Sequence, residues 1–460
     1  MLEGLISCPL DSRLLGNDGI SSMNSSASPR RVVITGLGVI SPLGNSVAAL
    51  WDALCAGRSG VTPLTVIPPV ADLVTFGGQC LSFTGEIDDF GDLDKEVKKS
   101  IRKALKVMCR ETMMAVAAAQ QAMADAKVTS TEISPERCGI VYGSDYMLSP
   151  PDDFESAMIK CGASAGKFSY ADWGQTGIGD MNPLWMLKFL PNMPASHIAI
   201  LNDLRGPNNS LTLREVSSMM AVREAMQTIE RGHADLMLAG STGTRVHSFK
   251  TVHALQNEQL ANPGSVPAEA SRPFDANRTG MVVGEGAGAI VLEEYESAKK
   301  RGATIYGELV GSGSSIVTNS HLEGNRTKAF ANAARTALAE AGIAPAECGH
   351  VNAHGLGTMQ GDAEEAAALG EVLGDAARTV PVAAAKSYFG NLGAGSGVVE
   401  LVASTLALHH DKLFRTLNYQ MPDSECPLNV TKEGGPAGGS FLKLSITPQA
   451  QAAAVVVKRV

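Results

Sequence analysis

The sequence has no run of eighteen apolar residues, so no segment is expected to cross a membrane as a helix. It has no CxxC pair. None of its cysteines, at positions 8, 55, 80, 109, 138, 161, 348 and 426, has a histidine partner at metal-ligand spacing, so neither a metal site nor a disulfide framework is expected, and a reduced, cytoplasmic setting is the simplest reading. Aromatic residues are scarce, at 5%, and the net charge is −9. Together these exclude the basic, ring-lined surface that nucleic-acid binding calls for. The longest basic stretch, "DKEVKKSIRKALK", reads as the solvated face of a helix. The first thirty residues carry acids early and lack a continuous apolar core, so a signal peptide is not expected there. Residues 1–30 read as a disordered tail, with Met23 a candidate start.

What is present is ordinary globular material. Of 460 residues, 44% are hydrophobic and 18% charged, and 48 are glycine, a balance suited to a tightly packed α/β architecture with short connections. "RRVVITGLGVISPLG" is a β-branched run closing on glycine, the mark of a buried strand, and "NSVAALWDALCAGRSG" after it is helical. The Ala-rich helix "TMMAVAAAQQAMADAKV", a loop and the strand "ERCGIVYGSD" recur as "KAFANAARTALAEAGI", a loop and "AECGHVNAHG", with Cys138 and Cys348 in register. Helix, loop and Cys-Gly strand together point to an internal duplication. The Gly-rich text at 284–288 lacks the Lys-Ser/Thr of a phosphate loop and reads as tight backbone packing.

Three separated stretches deliver a polar residue on a Gly-bounded turn or at a helix start. Glu215, in "GPNNSLTLREVSSMM", opens an amphipathic helix, where unpaired N–H groups and the dipole favour a carboxylate. His354 follows a strand in "VNAHGLGT", and "KSYFGNLGAGSGVVE" brings Lys386, Asn391 and Glu400 close in sequence. Read singly, these are a first-turn acid, a structural histidine and a buried ion pair.

Read together, with "VVITGLGVISPLG", "LPNMPASHIAI", "GPNNSLT", "ADLMLAGST", "SRPFDANRTGMVVGEGAGAIVLE", "NAHGLGT" and "KSYFGN" in order, residues 31 to about 430 resemble the β-ketoacyl-acyl-carrier-protein synthases, condensing enzymes of the thiolase superfamily. The resemblance implies an α/β fold with a duplicated five-layer α-β-α-β-α core, divided as 31–295 with dimerisation insertions and 296–460. It implies a dimer, homodimeric or paired with a Cys-bearing synthase, working in fatty acid or polyketide-type biosynthesis. It implies no cofactor of the chain's own, since the 4′-phosphopantetheine rides on the acyl carrier protein partner. In the family a cysteine at the start of the central helix takes the acyl chain, and two histidines promote decarboxylation of malonyl-carrier protein. The resemblance places Glu215 at the cysteine, His354 at the first histidine and Asn391 at the second. It also places Lys386 and Glu400 as a Lys-Glu pair and Asp362 as the acid after the first histidine. The family's Gly-Phe-Gly-Gly-type gating loop corresponds to "GGSFLKLSITPQ", which keeps Ser440 and Phe441, lacks the glycines and reads as a strand over 442–446.

Glutamate forms no stable thioester, so ordinary acyltransfer is not expected. Several readings stay open: a chain-length-factor-like partner, a malonyl-carrier decarboxylase using His354 and Asn391, different acyl chemistry with Glu215 as base or nucleophile, and an acyl-carrier-binding sensor without turnover.

Overall fold

The computed structural model describes residues 30–70, 72–129 and 132–460; Cys8, Met23 and the rest of the expected tail up to residue 29 lie outside the described residues. Ten strands form one sheet: β1 Val32–Ile40, β2 Cys138–Ser144, β3 Asn208–Thr212, β4 Leu236–Thr244, β5 Glu285–Glu294, β6 Gly307–Ile316, β7 His350–Asn352, β8 Val382–Ala383, β9 Ser440–Ile446 and β10 Gln451–Lys458. The helices that matter for the core are α1 Arg110–Ala126, α2 Ser217–Glu230, α3 Arg326–Ala341, α4 Met359–Leu373 and α5 Ser396–His410.

Counted outward from the middle, the sheet runs β1-β5-β4-β2-β3 on one side and β6-β10-β9-β7-β8 on the other, so each strand of the first half has its counterpart five strands later. The directions repeat as well. β2 is parallel to β3 and β4 while β4, β5 and β1 alternate; β7 is parallel to β8 and β9 while β9, β10 and β6 alternate. The halves meet where Val32, Val33 and Ile34 pair with Leu309, Glu308 and Gly307. The duplication expected from the Ala-rich helices is thus present in the topology.

The layers follow from where each strand sends its side chains. In β10, Ala453, Val455 and Val457 enter a central core with α2 and α5, and Ala452, Ala454 and Val456 enter an outer core under α3 and α4. In β5, Ile290 and Leu292 face the same centre, and Ala287, Ala289 and Val291 face α1. With both faces covered, the alternation expected of a half-exposed strand disappears, and these strands read as unbroken apolar runs. The result is a five-layer α-β-α-β-α stack.

The helices approach very closely at matched places. A methyl group on Gly36 or Gly38 of β1 would collide with the carbonyl oxygens of Ala122 or Ala118 in α1, and one on Gly311 or Gly313 of β6 with those of Ala337 or Ala333 in α3. The alanines sit four apart on one helix face and the glycines two apart on one strand face. The Gly-rich text at 284–288 is also packing, since a methyl on Gly284 would lie 2.7 Å from the carbonyl oxygen of Phe389. The basic stretch forms the helix Lys95–Ala104, capped by Asp94 and burying only Ile101. Among the described residues no helix is long and apolar enough to cross a membrane.

Candidate functional site

The centre of the stack brings the starts of α2 and α5 beside the loop after β7. Glu215 lies in a short turn, Arg214–Val216, that leads into α2. Arg214 enters that turn with φ 53°, a left-handed conformation that costs a residue with a side chain about 1 kcal/mol or more. The turn carries Glu215 inward until it is only 2% exposed.

A buried carboxylate needs compensation, and here it is local and strong. Arg245, 1% exposed at the end of β4, is ion-paired with Glu215 Oε1. Arg214 Nε lies 3.6 Å from Glu215 Oε2. Both arginines also reach Glu258 Oε1, at 3.0 Å from Arg214 and 3.2 Å from Arg245, so two cations and two carboxylates form one closed network. Burial alone would raise the Glu215 pKa, but the Arg245 and Arg214 guanidinium groups outweigh it and hold the carboxyl at about 2. Burial would likewise lower Arg245, and its two glutamates drive it up instead. Glu215 is therefore ionised at any working pH and is a poor general acid, a weak base and a weak nucleophile.

Asn391 completes this side of the site. Its Nδ2 donates to Met281 Sδ at 3.0 Å and to Glu215 Oε1 at 3.4 Å, and its Oδ1 accepts from Gly393 N–H and Ser396 Oγ, both at 3.1 Å. Its amide group is committed to the protein.

The depressed pKa has a testable sign. A carboxyl held at about 2 in the fold, against an ordinary 4.5, stabilises the protein above pH 4.5 and loses that contribution as the pH falls toward 2. The stability difference between wild type and Glu215→Gln, followed by urea denaturation, is expected to be constant above pH 4.5 and to shrink below it. A difference that stays flat down to pH 3 would mean that Glu215 is not held ionised by its arginines.

Facing this network is a second set of groups. His354 is fixed by its backbone N–H, which donates to Glu365 Oε1 at 2.6 Å, while Gly355 N–H donates to Oε2 of the same carboxylate at 2.8 Å. Lys386 Nζ lies 2.6 Å from Glu400 Oε1, 2.9 Å from the His354 carbonyl oxygen and 3.3 Å from His354 Nδ1. An ammonium only donates, so Nδ1 is the acceptor and the neutral imidazole carries its proton on Nε2. Burial and the neighbouring Lys386 and Lys443 cations push the His354 pKa well down. Lys443, on β9, lies 2.6 Å from Glu400 Oε2, so one carboxylate at the heart of α5 serves two lysines. Burial lowers the Lys443 pKa to about 8 even though Glu400 supports the charge. Asp362 accepts N–H groups from Phe274, Leu356 and Gly357. Burial nevertheless pushes Asp362 up to about 6 and Glu365 up to about 7. The two sets share a cavity of about 190 Å³ whose lining includes Glu215, Glu258, Gln259, Arg326, His354 and Thr358.

Residues 29–298 match the Beta-ketoacyl synthase N-terminal domain and residues 306–420 the Beta-ketoacyl synthase C-terminal domain. The chain belongs to the β-ketoacyl synthase family. It is 32% identical over 87% of its length, and 90% of the relative's, to 3-oxoacyl-[acyl-carrier-protein] synthase 2 of Synechocystis sp.. It is 34% identical over 90% of its length, and 89% of the relative's, to the mitochondrial 3-oxoacyl-[acyl-carrier-protein] synthase of Arabidopsis thaliana. Two solved structures are similar in shape, each covering 94% of this chain and all of the other, at 26% identity. One is a type II polyketide acyl-carrier protein in complex with its ketosynthase, at TM-score 0.80, and one is the ishigamide ketosynthase/chain length factor, at TM-score 0.78. This ketosynthase family works in fatty acid and polyketide biosynthesis, and its thiolase-like architecture is the stack described above.

Within this family member the structure gathers Glu215, His354, Asn391, Lys386, Glu400 and Asp362 around one centre, and it sets Phe441 apart. Phe441 is fully buried in β9 and stacks on His350, with ring centroids 5.2 Å apart, which leaves it in the core and not at a gate. The text expected to be a strand over 442–446 is one, running from Ser440 to Ile446. Counted from Ser440 and Phe441, the aromatic of the Gly-Phe-Gly-Gly-type loop falls on Lys443. Arg245, Glu258, Glu365 and Lys443 were not singled out from the sequence. Lys443 left a signal, as a lone charge inside the apolar run "SFLKLSI"; so did Arg245, which closes the buried strand "ADLMLAGSTGT".

Proposed function

We propose that this chain is a non-condensing member of the β-ketoacyl synthase family. It recognises an acyl carrier protein and pairs with a Cys-bearing synthase, and Glu215 occupies the position where such a synthase holds its nucleophile. The observation that carries this reading is the buried Glu215–Arg245 ion pair. A nucleophile lost by drift would leave a gap or an unpaired charge. Here the carboxylate comes with its own buried counter-ion, and a second arginine is bent into a strained turn beside it. That is a filled site, built to stay filled. The likeness to a ketosynthase/chain length factor structure supports the same reading, and heterodimerisation with a chain that keeps the cysteine is its consequence.

One observation favours a second reading. His354 lines the cavity with a neutral ring whose Nδ1 is occupied by Lys386, an arrangement able to offer Nε2–H to a malonyl thioester and so to assist loss of carbon dioxide. Asn391, with its amide group already engaged, is less available for that work.

The purified chain, incubated with malonyl- and long-acyl-carrier protein alone and with a candidate Cys-bearing synthase, distinguishes the two. The expected result is no protein-bound acyl group by intact mass, no carbon dioxide release by the chain alone, and a stable one-to-one complex with the partner by sedimentation. Malonyl turnover that disappears in His354→Ala would overturn the non-catalytic reading.

A further inference from the structure

The basic stretch of the sequence has no part in the site above. In the helix Lys95–Ala104, Ile101 is buried, and Val97 and Ala104 pack beside it on the outer core that holds Phe83 and Phe90. The opposite face carries Lys95, Lys99, Arg102 and Lys103, all exposed, and Lys106, also exposed, follows in the turn Leu105–Val107. Steps of four, three and one residue bring the first four onto one stripe. Lys99 has Glu96 at 3.6 Å. Among the described residues the other cations of the stripe have no ion-pair partner.

The fold does not call for this stripe. Like charges three and four residues apart, as in Lys95–Lys99, Lys99–Arg102 and Lys99–Lys103, repel along the helix and weaken it. The helix dipole favours Arg102 and Lys103 in the last turn and disfavours Lys95 in the first. Nearby acids do not neutralise the row. Asp94 is engaged in capping, accepting the N–H groups of Glu96 and Val97, and Asp89 accepts those of Thr84 and Gly85. Neither Asp88 nor Asp92 forms an ion pair with the stripe among the described residues.

We infer that this face docks on an anionic lipid bilayer, with the helix lying flat and its cations against the headgroup phosphates. A row of Lys and Arg on an amphipathic helix is what the negative potential of an anionic leaflet attracts. The stripe suits a broad, shapeless field of charge. Four of its five cations are lysines, compact hydrated charges that gain little from the bidentate pairing on which protein and duplex contacts rely. No aromatic ring lies between Lys95 and Val107, so the segment offers neither a stacking platform for single strands nor an anchor for a protein groove. The net charge of −9 does not oppose docking from this side, because screening over about 8 Å leaves mainly the facing layer of charge to be felt. The apolar face is already engaged in the core, so attachment is electrostatic and reversible, without insertion.

Co-sedimentation of the full chain with vesicles tests this. At about 0.05 M salt, binding to phosphatidylcholine vesicles containing about a third phosphatidylglycerol is expected to be about tenfold or more stronger than to phosphatidylcholine alone, and to fall by about tenfold or more at about 0.5 M salt. Lys99→Gln with Lys103→Gln is expected to weaken it by about tenfold or more. The same double variant should keep its thermal midpoint within about 2 °C of wild type, as surface changes without a structural role do. Lys299→Gln with Lys300→Gln, exposed cations elsewhere on the chain, should leave binding unchanged within about twofold. Equal binding to neutral vesicles, no binding at low salt, or an equal loss in the two double variants overturns the inference. Capture of polyglutamate or of a DNA duplex in place of the vesicles also overturns it, and assigns the stripe to a different polyanion.

Discussion

Arg245→Ala is expected to destabilise the protein by about 3–5 kcal/mol, the scale on which breaking a buried ion pair leaves an uncompensated charge. The side chain is 1% exposed, so water cannot take over its role, and it serves both Glu215 and Glu258. The two carboxylates would then have only Arg214, and Glu215 has it only at 3.6 Å. Guanidinium unfolding measures the loss. The double variant Glu215→Gln with Arg245→Met separates charge from bulk: an apolar and amide replacement of similar volume is expected to recover most of the stability, with a coupling between the two sites of about 2 kcal/mol or more. A single Arg245→Ala within about 1 kcal/mol of wild type would show that the pair does not hold the site together.

Glu215→Cys is expected to produce an unusually acidic thiol without producing an active synthase. Arg245 and Arg214 remain around the new sulfur, and cations of that kind lower a thiol from about 8.5 to between about 3.5 and 7.5. Thiolate absorbance in the ultraviolet, read as a difference from wild type, should reach half its change near about pH 6 or below. Native cysteines cancel in that difference, and burial drives Cys80 and Cys109 up, away from that range. Long-acyl-carrier protein should still leave no adduct, because the Asn391 side chain that would polarise the thioester stays bound to Met281, Gly393 and Ser396. An acylated product would show instead that one residue alone blocks the site.

The sequence disclosed this architecture unevenly, for physical reasons. The strand "VVITGLGV" and the Ala-rich helices were legible because local pattern and glycine punctuation report burial directly. Glu215, His354, Lys386 and Asn391 were legible because each lies in a short text whose neighbours identify it. The network that decides their chemistry was not. Arg245 meets Glu215 from thirty residues away and Asn391 meets it from 176, and no periodicity encodes a pairing of that kind. Asn391 shows the difference most clearly: as a residue type it is an amide able to polarise a thioester, and in place its amide group is bound to Met281, Glu215, Gly393 and Ser396. The helix terminus near Glu215 was visible from sequence, and the stronger influence came from two guanidinium groups.

The matched glycines of β1 and β6 bear on what a duplicated chain is free to forget. Where a side chain meets another side chain, a change on one surface can be absorbed by a change on the other, and two copies of an ancestral segment drift apart. Where Gly38 lies under the Ala118 carbonyl, and Gly313 under that of Ala333, backbone faces backbone and there is no side chain left to adjust. The resemblance between "TMMAVAAAQQAMADAKV" and "KAFANAARTALAEAGI" is then a fossil of contact distance: the copies still look alike where the chain has nothing to trade, and have become strangers at the central turns that begin with Arg214 and Gly393.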